Sequence, residues 1–263
     1  MKNIVVCMKQ VLDPEAPLSL FKIDPEAKRA ILPKATPPVI SPFDENALEA
    51  ALKIKDSQPA KVTVISLGKK LSRAVVRAPL AAGADELILL EDDLFDEFNT
   101  LLTAHALSSA IRNLGQYDLI LCGIQAADTN AGQVGIGIAS ILDIPFITFA
   151  RKVELIGNTV RVEKVLPHGF AVIEAPAPAV VSTSYEAGEL REPGVEAFMS
   201  ASKKPVTVMN AQQLGMTTVP ASPVSFRKMY QLNRERKCEI ITGSSPSEKV
   251  DRLMSVLQQA KVL

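Results

Sequence analysis

Asp128, Thr129, Asn130 and Gln133 lie close together in residues 117–142, YDLILCGIQAADTNAGQVGIGIASIL, interleaved with Gly123, Gly132 and Gly135. Their carboxylate, hydroxyl and amide groups suit hydrogen bonds to a ribose or a phosphate. The glycines let the backbone approach a ligand closely. The stretch holds neither a GxxxxGK[ST] phosphate loop nor a clean GxGxxG fingerprint, so spacing alone makes a weak nucleotide signal. An ordinary strand-to-helix turn accounts for it equally well.

No other set of side chains reads as catalytic. His105 sits in a helix-patterned run, and His168 lies between Pro167 and Gly169, neither with a spaced acid or thiol partner. Asp92, Asp93, Asp96 and Glu97 read as a solvated acidic loop, and Lys69 and Lys70 as a surface pair. The three cysteines are far apart; Cys7 and Cys122 fall in apolar runs and read as buried small hydrophobes in a reducing compartment. These features point to a nucleotide carrier or regulatory binder rather than an enzyme with its own acid–base chemistry.

Composition narrows the partners. Lys+Arg and Asp+Glu are both 29 in 263 residues, and tryptophan is absent. A nucleic-acid binder normally carries a basic stripe or stacking aromatics, so none is expected here. The start, MKNIVVCMKQV, is too short for a membrane span and has no signal-peptide cleavage pattern, so the expected location is the cytoplasm.

The elements that must position these residues follow from periodicity. Apolar runs at 4–8, 61–67, 86–90 and 119–122 read as buried strands, and amphipathic patterns at 41–56, 72–82, 99–113 and 133–142 as helices. Ser41 is the expected N-cap of its helix through its hydroxyl, with Pro42 at the first helical position. Asn99 or Thr100 is the expected cap of the third helix. The alternation predicts an α/β fold, a doubly wound mostly parallel sheet with helices on both faces. Ligands in such sheets bind outside the carboxyl ends of strands. That brings three loops together: residues 7–10, 67–70 and 123–135. A helix starting at 41–44 makes a fourth wall, and the helix N-terminus after 133 offers free N–H groups to an anion.

A small hairpin is expected at 21–24 and 30–32. After residue 145 the expectation is a short strand at 146–149, a hairpin of 152–156 and 159–165 around Gly157 and Asn158, and strands at 170–175 and 179–183. Residues 185–204 look irregular, and 205–247 hold few periodic signals, with prolines 205, 220, 223 and 246 as helix breakers. A last amphipathic helix is expected at 248–263. The division is thus an α/β nucleotide-binding core, 1–184, and an arm with a C-terminal helix, 185–263, that wraps and packs on a partner subunit.

Six segments in order, IVVCMKQVLD, SPFDENALEAALKIKD, VTVISLG, RAPLAAGADELILL, DLILCGIQAADTNAGQVG and MSASKKP, resemble the beta subunits of electron transfer flavoproteins over essentially the whole chain. The resemblance implies a heterodimer with an alpha subunit that holds most of an FAD, this chain forming one side of the FAD pocket. The pair would shuttle electrons from dehydrogenases, such as acyl-CoA dehydrogenases, to a downstream acceptor. It implies a second nucleotide in this chain, a structural AMP or, in the electron-bifurcating type, a second FAD reduced by NADH. Carried over by motif, that site is Cys7, Ser41, Pro42, Phe43, Asp44, Leu67, Gly123, Gln125, Ala126, Asp128, Thr129, Asn130, Ala131, Gly132, Gln133 and Val134. The sequence AADTNAGQVGI departs both from the bifurcating pattern AIDGDTAQVGP and from the ordinary AIDDDCNQTGQ. The family's partner-docking segment, L-x-EPRYxxLPNxMxAxKK, is shorter here, and Leu190, Val195 and Phe198 stand as its docking residues. An adenine-nucleotide sensor domain would share the core, but has little use for the residues beyond it.

Overall fold

The computed structural model describes residues 1–95, 99–216, 218, 221–222, 224–225, 227–231 and 238–263. Asp96 and Glu97 of the expected acidic loop, and Pro220 and Pro223, lie outside the described residues. The elements in chain order are β1 (Lys2–Cys7), β2 (Gln10–Val11), β3 (Lys22–Asp24), β4 (Arg29–Ile31), β5 (Val39–Ile40), α1 (Pro42–Ser57), β6 (Ala60–Gly68), α2 (Arg73–Val76), α3 (Ala78–Ala82), β7 (Glu86–Glu91) and α4 (Thr100–Asn113). They continue with β8 (Leu119–Gly123), α5 (Val134–Leu142), β9 (Phe146–Ile156), β10 (Thr159–Leu166), β11 (Gly169–Pro176), β12 (Ala179–Thr183), α6 (Val195–Ala201), β13 (Val206–Met209) and α7 (Pro246–Gln259).

The central sheet has the order β11-β10-β9-β12-β8-β1-β6-β7-β13. It is parallel from β9 to β13, and β10 runs antiparallel to both its neighbours. The mostly parallel doubly wound sheet expected from the alternation is therefore present. Side chains of β1 alternate between the faces: Ile4 and Val6 join the core under α1 and α3, and Val5 and Cys7 join the core under α4 and α5. Strand β1 lies between β6 and β8, and the chain leaves it on one side and returns on the other. That is the switch point where the strand order reverses.

Several local expectations needed correction. The helix expected at 72–82 is two short helices, α2 and α3, because Pro79 lacks the N–H that one continuous helix would use there. The short strand at 146–149 and the first arm of the later hairpin are one strand, β9, kinked by a bulge. Its register against β12 shifts between Val181 and Thr183, and Phe149 takes φ 58. The irregular stretch contains the helix α6, and β13 pairs in parallel with β7 from Val206–Leu87 to Met209–Leu90. Pro246 does not break a helix; it starts α7, as its missing N–H is tolerated in the first turn.

The chain divides into two compact units, Met1–Met229 and Tyr230–Leu263. Within the second, Ser245 caps α7 by accepting from the Glu248 N–H at 3.2 Å, and Glu248 accepts in return from the Ser244 N–H at 2.8 Å. Its apolar side chains Val250, Leu253 and Met254 are all exposed. Among the described residues, no helix is long and apolar enough to cross a membrane.

Candidate functional site

The carboxyl ends of β1, β6 and β8 bring Cys7, Leu67 and Gly123 to one cleft. The cleft has a cavity volume of about 90 Å³ and opens to solvent. Asp44, in the first turn of α1, fastens two of these strand ends together. Its Oδ2 accepts from the Lys9 N–H at 2.8 Å, and its Oδ1 accepts from the Gly123 N–H at 2.9 Å. Gly123 has to be glycine for packing: a Cβ there would sit 2.6 Å from the Phe43 Cβ and 2.7 Å from Asp44 Oδ1.

From Gly123 the chain forms a loop that walls the cleft and then enters α5. Asn130 takes φ 51 and Gly132 φ 63, both left-handed. The Asn130 N–H donates to the Ala126 carbonyl at 2.8 Å, and the Gln125 amide donates to Asn130 Oδ1 at 3.0 Å, so the loop is internally braced. Two contacts fix it to the rest of the domain. Lys9 Nζ pairs with Asp128 at 2.7 Å, and the Ala127 N–H donates to the Ser41 hydroxyl at 3.3 Å. The expected Ser41 cap is thus corrected: the hydroxyl makes no capping hydrogen bond to α1, because the loop takes it instead.

α5 begins at the cleft without a side-chain cap. Its first intrahelical bond is from the Gly137 N–H to the Gln133 carbonyl, at 3.0 Å. The N–H groups of Val134 and Gly135 come before that bond, and both residues line the cleft. Such an end favours an anion through free donors and the helix dipole. α5 can lie close because Gly135 is against the Cys122 sulfur and Gly137 against Ala104, where a Cβ would come within 2.8 Å. The opposite wall is α4, capped by Asn99 as expected, whose side chain accepts from the Leu102 N–H at 3.0 Å. Its Thr100 hydroxyl donates to Gln133 Oε1 at 2.7 Å.

The floor is apolar in character. Burial pushes the Cys7 thiol up to about 12, and Asp44 adds to the rise. Burial also lifts Cys122 well above the ordinary thiol value, with Cys7 and Asp44 adding to it. Both thiols therefore stay protonated and neutral at neutral pH. Burial raises the Asp44 carboxyl to about 7, against the opposing pull of its two N–H donors and Lys9. The cleft offers an apolar floor, a helix N-terminus and a ring of amides and hydroxyls. This is the equipment of a nucleotide site built mainly on backbone donors.

The Electron transfer flavoprotein domain matches residues 31–214 of the chain. The chain belongs to the electron transfer flavoprotein family. It is 38% identical to Electron transfer flavoprotein subunit beta of Thermoanaerobacterium thermosaccharolyticum, over 99% of this chain and all of that protein. The subunit of the same name from Megasphaera elsdenii is 34% identical, over 99% of this chain and all of its own length. Caffeyl-CoA reductase-Etf complex subunit CarD of Acetobacterium woodii is 32% identical with the same coverage. The beta-subunit resemblance read from the sequence is thereby borne out.

Of the residues the electron transfer flavoprotein resemblance assigned to the nucleotide, Cys7, Asp44, Leu67, Gly123, Gln125 and Ala126 line the cleft, as do Thr129, Ala131, Gly132, Gln133 and Val134. Ser41, Pro42, Phe43, Asp128 and Asn130 stand behind it. Ser41 and Asp128 fix the loop, Asn130 turns it, Pro42 starts α1 and Phe43 packs on Gly123. The assignment left out Met8, Lys9, Cys122, Ile124 and Gly135, and three residues of α4, Thr100, Thr103 and Leu107. The spacing of three and four between those helical residues marks one face, and that was the available signal. Of the docking residues, Val195 and Phe198 are 80% and 68% exposed on α6, while Leu190 packs against the core.

Proposed function

We propose that this chain is the cytoplasmic beta subunit of a heterodimeric electron transfer flavoprotein, that its cleft holds a structural AMP, and that it forms one side of the FAD pocket. The observation that carries the reading is the meeting of three strand ends with an uncapped helix N-terminus, in a chain of this family. The residues present fit an adenine nucleotide. The apolar floor of Cys7, Leu67 and Leu107 suits a base, and the Val134 and Gly135 N–H groups suit a phosphate. Gln125, Thr129 and Gln133 supply polar groups for the ribose. A nucleotide bound only to the native fold stabilises it by mass action.

FAD, held mostly by the alpha subunit, supplies the redox chemistry when bound. This chain's part is to shape that pocket, exclude water and present a partner surface. The exposed face of α6, with Val195 and Phe198, docks a dehydrogenase of CoA esters such as an acyl-CoA dehydrogenase. Support comes from the similarity to CarD, a subunit of a caffeyl-CoA reductase complex. α7, with its apolar stripe exposed, packs on the alpha subunit.

The same similarity favours a second reading, in which the cleft holds a second FAD that reacts with NADH. A cofactor count separates the two. The chain is co-expressed with its alpha subunit, and the heterodimer is denatured and assayed for FAD and AMP. One FAD and one AMP is the expected result. Two FAD and no AMP establishes the second reading, and a heterodimer without flavin overturns both.

A further inference from the structure

Asn46, Glu49, Lys53 and Asp56 recur along α1 at intervals of three and four residues and so share one helical face. A polar stripe on a helix packed against a sheet needs partners, and residues 187–191 supply them. Asn46 Nδ2 donates to the Gly188 carbonyl at 2.7 Å, and Lys53 Nζ to the Ala187 carbonyl at 2.6 Å. The Arg191 guanidinium grips the buried Glu49 carboxylate through Nε at 3.0 Å and Nη2 at 2.9 Å. The same Nη2 reaches Asp56 at 2.8 Å, and the Arg191 N–H donates to Glu49 at 3.1 Å. A two-pronged grip of this kind fixes direction as well as distance, which a lysine cannot do.

The far side of α6 is held as well. Lys204 Nζ donates to the Leu80 and Ala84 carbonyls at 2.8 and 2.7 Å, closing the end of α3, and β13 then joins the sheet. α6 therefore lies between two cationic straps. It has seven residues, none buried, which is far too short for a helix to persist on propensity alone. Yet it presents Val195, Phe198 and Met199 at 80%, 68% and 70% exposure.

We propose that Arg191 is a positioning residue for partner docking: with Glu49 and Asp56 it holds α6 in place, so that the apolar face meets its partner already ordered. The inference rests on the docking reading above. Pre-ordering lowers the entropy lost on association, so the strap acts on partner affinity and not on the flavin.

The test uses the flavin-loaded heterodimer with a purified acyl-CoA dehydrogenase from the same organism as electron donor. In Arg191→Met the KM for the dehydrogenase is expected to rise about ten-fold with kcat at saturation held. Amide exchange of residues 192–201 accelerates, and flavin content is unchanged. Asp56→Asn, which leaves the buried Glu49 grip in place, gives a smaller rise and serves if Arg191→Met fails to assemble. Arg191→Lys restores only part of the affinity. Unchanged exchange at 192–201 in both variants overturns the proposal, and so does faster exchange with an unchanged KM. The docking reading is tested separately by Val195→Ala with Phe198→Ala. If that pair leaves the transfer rate untouched, docking lies elsewhere, and the exchange measurement alone decides whether Arg191 holds the helix.

Discussion

The Asp44 Oδ1 accepts the Gly123 N–H at 2.9 Å, so the first turn of α1 and the end of β8 are joined by a single buried carboxyl. The other oxygen holds the Lys9 N–H at the end of β1. The ends of the two paired strands that frame the switch point are thus tied by one side chain.

Burial raises that carboxyl from its ordinary 3.8 to about 7. Between those values the folded protein keeps a proton that the unfolded chain has lost. The stability linked to it is complete below about 3.8 and is lost as pH rises through about 7. Relative to Asp44→Asn, the wild type should lose unfolding free energy from pH 4 to 7 and run parallel above pH 8. Urea midpoints across that range check it, and parallel lines throughout would refute it.

Gly123→Ala places a methyl group 2.6 Å from the Phe43 Cβ and 2.7 Å from Asp44 Oδ1. The backbone neighbour cannot give way cheaply, so the expected loss is about 1–3 kcal/mol. Thermal unfolding should show a lower midpoint, and the AMP proposed for the cleft should be retained less well through purification.

Lys9→Met removes the ion pair to Asp128 that fixes the cleft loop to β1. A partly exposed pair contributes no more than about 1 kcal/mol to folding. Global stability should hardly change, while the AMP proposed for the cleft should exchange faster with labelled AMP. Lys9→Asp combined with Asp128→Lys should recover part of the slow exchange.

Cys238 is exposed, whereas Cys7 and Cys122 are buried and held in the thiol form. Iodoacetamide at pH 8 should label Cys238 first and leave the other two largely intact until the protein unfolds. Peptide mass spectrometry over time gives the order directly.

Much of the fold was legible because buried parallel strands such as Leu119–Gly123 are continuous apolar runs, which leave a strong signal. The cleft was legible for the same reason, since its position follows from where those strands end. What escaped depended on long-range partners. Ser41 has the side chain of a cap, but only the folded loop shows that Ala127 claims its hydroxyl. Phe149 has no local mark of a left-handed backbone, and the bulge there is set by how β9 meets β12. α6 has no fully buried residue, and only the partly buried Ala197 and Ala201, four residues apart, mark its inner face, too short a pattern to read as a helix. β13 is a four-residue edge strand whose identity comes from β7 alone.

α1 carries Asp44 in its first turn and Asp56 in its last. Twelve residues of helix at about 1.5 Å each make a rod of about 18 Å between them. A helix of this length hardly stretches. The cleft at one end and the Arg191–Asp56 contact at the other are therefore spaced as if by a ruler.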